Sequence, residues 1–239
     1  MYNKEMDNRL RKIAEVIGKT EKIIDVGTDH GHLPVFLVRS EQVRYAIVSD
    51  VSKGSLRKAE ILIKEKGLDE RIEARLGSGL EVIDTEDRVD LAIIAGMGGN
   101  LIAAILEKSR HLIFESHMRL VLQPMQNPEA LRRYLLQNGF CIDAGSLAEE
   151  DGRIYQIIDA KVGSSDQRYS YWELVFGRLE SYKDAEQREL YLRSLKKKKK
   201  ELENILSKIS RSSGEDSEAY LRNKNDLLEL EEMLCKLGS

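Results

Sequence analysis

The chain has 239 residues, 41% hydrophobic and 33% charged, with a net charge of −3. That is enough apolar material for a core beneath a charged surface, and it excludes wholesale disorder. No run approaches the ~18 consecutive apolar residues of a membrane helix, and the opening Met1–Asp7 carries acids without an apolar segment. A soluble, cytoplasmic protein is expected. Cys141 and Cys235 lie far apart without ligand spacing, so neither a disulfide framework nor a metal site is expected.

An N-terminal helix carries Arg9, which could touch a cofactor or RNA, with a solvated face as the default. Five short aliphatic runs then read as strands: Lys22–Gly27, Tyr45–Asp50, Ile72–Gly77, Val89–Gly96 and Arg119–Gln123. Runs this continuous suit strands covered on both faces, as in a parallel sheet. Helical stretches lie between them, at Gly54–Lys66, Asn100–Lys108 and Pro128–Asn138, the last with Asn127 as N-cap, Pro128 at N1 and Gly139 as stop. The alternation predicts an α/β doubly wound fold. Two further strands, Cys141–Leu147 and Arg153–Lys161, joined by Glu150-Asp151-Gly152, add an antiparallel edge.

Gly163-Ser164-Ser165-Asp166 marks a change of composition, dividing residues 1–163 from residues 164–239. In the second part Leu190, Leu195, Leu202, Leu206 and Ile209 recur at helical spacing, as do Tyr220, Leu227, Leu230, Leu234 and Leu237. Ser212–Asp216 separates the two series, which predicts an antiparallel helical hairpin of coiled-coil character.

Open α/β sheets bind ligands at the carboxyl ends of their strands, and three segments fall there. After strand one comes Asp25-Val26-Gly27-Thr28-Asp29-His30-Gly31-His32. It is not a GxGxxG dinucleotide turn, and Asp29 would repel a pyrophosphate. A cationic or zwitterionic ligand suits it better. Strand two ends at Asp50, whose carboxylate can accept from a ribose diol. Strand four ends in Gly96-Met97-Gly98-Gly99, where bare backbone leaves room for a flat group. Together they point to one nucleoside-bearing ligand, most economically S-adenosylmethionine. His30 can equally line the pocket or make a structural hydrogen bond, and Met97 reads as packing.

The strings DVGTDHGHLP (25–34), AGMGG (95–99), LQP (122–124) and NGF…EEDGRIYQII (138–158) resemble the TrmK family of bacterial methyltransferases. The resemblance runs from Asn8 to Lys161, and the helical tail matches in kind. It implies a class I methyltransferase fold using S-adenosylmethionine to methylate N1 of the adenine at position 22 of transfer RNA. By the same resemblance Asp25, Gly27, Asp29 and Gly31 cradle the methionine part, Asp50 takes the ribose, Ser78 and Gly79 the adenine edge, and Gly96 to Gly99 the floor. Ser78 stands where such enzymes carry an acid, so a hydroxyl replaces the expected carboxylate.

Methylation of N1 requires an unpaired or flipped base and stabilisation of the positive charge that grows on it. Asp29 is the first candidate for that stabilisation. Gln123 and Asn127 are candidates to read the adenine edge, or simply to cap the following helix. Tyr155 is a candidate stacking platform, or a strand residue at the sheet edge. Lys196, Lys197, Lys198, Lys199 and Lys200 form a run whose default is a solvated face, yet five adjacent like charges also suit a polyanion such as tRNA. Two other readings stay open: a cofactor-binding scaffold whose hairpin docks a partner protein, and a small-molecule methyltransferase. Oligomeric state is open, with a monomer the simpler expectation.

Overall fold

The computed structural model describes residues 6–164, 168–213 and 215–238. The chain divides into two compact units, Met1–Arg168 and Tyr169–Ser239. Of the composition break expected to separate them, Ser165 and Asp166 lie outside the described residues, as does Gly214 in the segment between the two helical series.

In the first unit, helix α1 (Asn8–Ile17) begins at an Asp7 N-cap that accepts from the Leu10 amide at 2.7 Å. There follow β1 (Thr20–Val26), α2 (His32–Arg39), β2 (Val43–Asp50), α3 (Lys53–Glu65), β3 (Ile72–Leu76), β4 (Leu91–Gly98), α4 (Gly99–Lys108), α5 (Arg110–Ser116), β5 (Arg119–Gln126), α6 (Pro128–Gln137), β6 (Phe140–Glu150) and β7 (Arg153–Val162). The strands form one seven-stranded sheet in the order β3-β2-β1-β4-β5-β7-β6. The first five are mutually parallel, and β7 and β6 are antiparallel.

Side chains alternate across each strand, which divides the core into two layers. Ile23, Ala46, Val48, Leu91 and Ile93 pack with α1, α2 and α3 on one face. Ile24, Ile47, Ala92, Ile94 and Leu122 pack with α4, α5 and α6 on the other. This is the doubly wound α/β arrangement expected from the aliphatic runs. The antiparallel pair turns at Asp151 and Gly152, both with positive φ, the geometry of a two-residue hairpin. Tyr155 is therefore not on an edge strand, because β7 lies between β5 and β6.

Two helices of this unit escape the sequence pattern. α2 is only eight residues, carries Pro34 inside, and buries Leu33, Val35, Leu37 and Val38 with little polar face to set a period. α5 is shorter still. At α6, Asn127 occupies the N-cap position in the left-handed region (φ 53°), with no side-chain capping bond.

In the second unit, a short helix α7 (Tyr171–Phe176) opens on a Ser170/Glu173 capping box and buries Trp172. The indole Nε1 donates to the Asp226 carbonyl at 3.0 Å. Helices α8 (Ala185–Ser213) and α9 (Glu218–Gly238) form the expected antiparallel hairpin, with Leu195, Leu202 and Leu230 buried between them. No helix among the described residues is long and apolar enough to cross a membrane.

Candidate functional site

A cleft of about 340 Å³ opens at the carboxyl ends of β1 and β4. Asp25, Gly27, Asp29, His30, Gly31 and Gly96 line it, six of the twelve residues assigned to the cofactor from sequence, together with Arg9, Thr28 and His32. The loop after β1 is fixed from below: the Gly27 and Thr28 amides both donate to the Ser49 carbonyl, at 2.8 and 3.1 Å. The Thr28 hydroxyl accepts from the Gly31 amide at 3.1 Å and donates to the Asp25 carboxylate. Gly31 then starts α2 at φ +72°, a conformation that any residue with a Cβ adopts at a cost.

Asp25 is buried, and no cation pairs with it among the described residues. Its pKa is raised from 3.8 to about 6, chiefly by desolvation and to a lesser degree by Asp50 on the neighbouring strand, with the Thr28 bond opposing. Asp50 itself accepts from the Ser52 amide through Oδ1 at 2.6 Å, leaving its second oxygen for a ligand. Asp29 sits at the rim, 64% exposed, with His30 Nε2 at 3.1 Å and Lys58 Nζ at 3.4 Å. Desolvation is the largest single influence and raises its pKa, but Lys58, His30 and Ser55 together outweigh it and hold the carboxyl below the usual range. His30 and His32 stack with ring centroids 5.5 Å apart, so His32 too faces the cleft.

The four-residue floor is not uniform. A Cβ at Gly98 would meet open space and one at Gly96 only the Arg9 guanidinium, at 3.9 Å. Met97 instead lies across Gly27. Gly99 is buried, and a Cβ there would stand 2.2 Å from the Asn127 carbonyl oxygen. Gly99 thus makes room for the chain crossing from β5 into α6 rather than for a ligand. Ser78 and Gly79 line a separate groove of about 110 Å³ with Leu101, Ile105 and Lys108, and Asp50, Met97, Gly98 and Gly99 line neither hollow.

Gln123 corrects the reading that it meets the adenine edge. It is fully buried at the end of β5, and its Oε1 accepts from Arg9 Nη1 at 2.8 Å and from the Gly96 amide at 3.1 Å. Its Nε2 donates to the Pro124 carbonyl at 3.0 Å. Asn127 is exposed. Arg9, for which the sequence offers a solvated face as default and a cofactor or RNA contact as alternative, is held by Gln123, and its guanidinium lies 5.8 Å from the Tyr155 ring centroid. A helical period gives the face of α1, but the destination of Arg9 depends on residues more than a hundred positions away.

The lysine run also divides. Lys198 pairs with Glu201 at 3.4 Å and Lys199 with Glu231 across the hairpin at 2.7 Å. Lys196, Lys197 and Lys200 are exposed and have no ion pair among the described residues.

A larger hollow, about 590 Å³, lies at the opposite end of the sheet, between Lys19, Glu21, Glu41, Arg44 and Arg71. Four of these five charges pair, Arg71 with Glu41 and Arg44 with Glu21, and Lys19 is exposed to solvent. No buried charged group lines it among the described residues, and the smaller cleft is the functional candidate.

The doubly wound sheet and the glycine-rich loops at its carboxyl edge define a methyltransferase domain, and residues 6–158 match the family described as "Methyltransferase domain". The chain is 30% identical over 232 residues to the tRNA (adenine(22)-N(1))-methyltransferase of Bacillus subtilis, covering 96% of this chain and 97% of that protein. The structure of that organism's M1A22 tRNA methyltransferase TrmK superposes with a TM-score of 0.78 at 29% identity, covering 98% and 97% of the two chains. Streptococcus pneumoniae Sp1610, a candidate tRNA (m1A22) methyltransferase solved with S-adenosyl-L-methionine, gives a TM-score of 0.82 at 30% identity over 96% of this chain and 99% of that one. This chain belongs to the tRNA (adenine(22)-N(1))-methyltransferase family.

Proposed function

We infer that this protein transfers the methyl group of S-adenosylmethionine to N1 of adenine 22 in transfer RNA. The observation that carries the reading is the near-full-length likeness to the Bacillus subtilis enzyme. The cleft fits the cofactor on independent grounds. Asp25 is a buried carboxylate at the cleft with no cation paired to it among the described residues, and the ammonium of the methionine end is a fitting partner. Bound there, S-adenosylmethionine supplies an electrophilic methyl on a sulfonium.

The protein's task is then placement and electrostatics. Asp25, Gly27 and Gly31 hold the methionine end, the free Asp50 oxygen meets the ribose, and Ser78 and Gly79 lie toward the adenine. Gly96 and Gly98 leave backbone open beside the reacting centre, with Met97 as packing. Adenine N1 is neutral and nucleophilic near pH 7, so no strong base is needed to begin attack. Asp29, kept ionised by Lys58 and His30, faces the positive charge that develops on the base. Tyr155 and the exposed Asn127 are the groups left to meet the adenine, and Gln123 acts by positioning Arg9 and Gly96.

Residues 164–239 serve as the RNA arm in this reading. Lys196, Lys197 and Lys200 make phosphate contacts, whereas Lys198 and Lys199 are engaged within the hairpin. Work on transfer RNA implies a cytoplasmic location. The test is transfer of labelled methyl to unmodified tRNA, followed by mass analysis of the digested nucleosides. 1-Methyladenosine, lost when adenine 22 is replaced by guanine, is the expected product. No incorporation by protein that binds the cofactor would overturn the reading. Lys196, Lys197 and Lys200 changed together to Ala should raise the KM for tRNA roughly tenfold and flatten its salt dependence, with the KM for cofactor unmoved.

A further inference from the structure

The pairing of β5 with β7 stops short of the ends of both strands. It runs from Leu120 opposite Ala160 to Leu122 opposite Ile158, although β5 continues to Gln126 and β7 begins at Arg153. Carried onward, that register sets Met125 opposite Tyr155, on the face of the sheet that bears Val121 and Ile157. On its other side β5 stays paired to β4 as far as Gln126, through register shifts on either side of Met97, an irregularity of the kind that bends strands and re-aims side chains. β5 and β7 thus part at the carboxyl edge, with Met125 on one lip and Tyr155 on the other. Gln123 and Arg9 link the two: Gln123 Nε2 donates to Met125 Sδ at 3.6 Å, and Gln123 Oε1 accepts from Arg9, whose guanidinium reaches the Tyr155 ring. We propose that Met125 and Tyr155 clamp the target adenine, the thioether on one face and the phenol ring on the other, with the base edge turned toward the cleft at Gly96. The proposal rests on the methyltransferase reading above and gives the base a second cover opposite Tyr155.

Side chains directly opposed on paired strands stand about 5 Å apart at Cβ. A base between two covers needs about 7 Å, twice the ~3.5 Å of a van der Waals contact. An unpaired stretch at this edge supplies that width, and a continuous ladder would close it. Met125 is 43% exposed although large and apolar, beside Gly98, where a Cβ would meet open space. An unbranched, polarisable thioether fits a flat ring, and an aromatic side chain is the ordinary cover for a splayed base. Both lips are fixed. Directly beyond Met125 the chain turns at Asn127 into α6 through Pro128. Tyr155 is paired with Ala148 on β6, and the next residues of that strand are tied to α1. The Asn8 amide donates to Glu150 Oε2 at 2.7 Å and Asn8 Nδ2 to the Glu149 carbonyl at 3.3 Å. At the other end of α1, Arg119 donates to the carbonyls of Val16 and Ile17, at 2.7 and 2.9 Å.

The test measures binding of the full-length protein, saturated with S-adenosylhomocysteine, to tRNA with adenine or an abasic site at position 22. The natural protein should bind the adenine form about tenfold more tightly, within the range of a base stacked on an aromatic side chain. Met125→Ala should weaken the adenine form about fivefold and leave the abasic form unmoved, and Tyr155→Ala should do the same more strongly. Because the two act on one base, the double variant should lose less than the product of the single losses. Met125→Leu, similar in volume, should keep most of the affinity. Unchanged S-adenosylhomocysteine affinity in calorimetry reports that each variant is folded, and a fall in it with Met125→Ala would mean a structural role and overturn the proposal. So would equal weakening of both tRNAs, which would place Met125 on RNA away from the target base, and so would no weakening of either. A natural protein that forms 1-methyladenosine yet binds the two tRNAs alike would remove the clamp and leave the activity standing. One that forms none would take the methyltransferase reading with it.

Discussion

At the amino-terminal end of the parallel strands, Arg71 donates to both oxygens of Glu41 at 3.0 and 3.3 Å and to the carbonyls of Val43 and Arg44. Arg44 meets Glu21 at 3.1 Å. At the carboxyl-terminal end, Asp25 and Asp50 sit on neighbouring strands with no cation paired to either among the described residues. The same sheet thus pairs these two cations with acids at one end and keeps two acids without a paired cation at the other, among the described residues. A hollow whose charges are closed on themselves is architecture, whatever its volume. A smaller one that keeps a buried carboxylate unmatched is a site, and the folded protein bears the cost.

The largest test of that contrast is Asp25→Asn. Loss of the charge should weaken S-adenosylhomocysteine ten- to a hundredfold in calorimetry, while the ligand-free protein becomes more stable at pH 7.5. A rise of about 2 units above the ordinary value corresponds to about 3 kcal/mol at most. Because the folded protein holds this proton more tightly than the unfolded chain, the stabilising contribution is full below pH 3.8 and is lost as pH rises through about 6. The melting temperatures of variant and natural protein should therefore separate between pH 4 and 6 and stay apart above pH 7. A gap that ignores pH would detach the effect from Asp25.

Next in size is Gly99→Ala, which sets a methyl against the Asn127 carbonyl and should cost about 2–3 kcal/mol in denaturant unfolding. Gly98→Ala, facing open space, should leave stability within about 0.5 kcal/mol. At the other end of the sheet, Arg71→Ala should lower stability by about 1 kcal/mol and leave cofactor affinity unchanged. Any loss of affinity there would break the division between the two ends. The smallest effect belongs to Arg44→Gln, which breaks an exposed pair and should leave the midpoint in the same unfolding assay unmoved.

The framework was legible because it rests on local signals. The aliphatic runs gave the parallel strands, the turn at Asp151-Gly152 the hairpin, and the leucine spacings the tail. The loops after β1 and β4 do meet at one cleft, as their places at the ends of parallel strands suggest, whereas Asp50 after β2 lines neither hollow. What escaped depends on distant partners. Gly99 looks like its glycine neighbours until the crossing at Asn127 is known, and Gln123 looks like an edge reader until Arg9 and Gly96 are seen to occupy its oxygen. The five lysines are alike in sequence, and their separation depends on Glu201 and Glu231. α2 was missed because a helix apolar on nearly every side has no period to read.

The fastening of α1 bears on the order in which the molecule assembles. This helix precedes every strand of the sheet in the chain, yet its anchors are Arg119 on β5 and Glu149 and Glu150 on β6. Those contacts span more than a hundred positions, so the helix waits through most of the domain's synthesis before it is seated. A nascent chain that ends before β6 already has Arg119 and Gln123 of β5, but lacks the Glu149 and Glu150 contacts that fasten the start of α1. The start of α1 is fastened only once β6, more than a hundred positions further on, is in place.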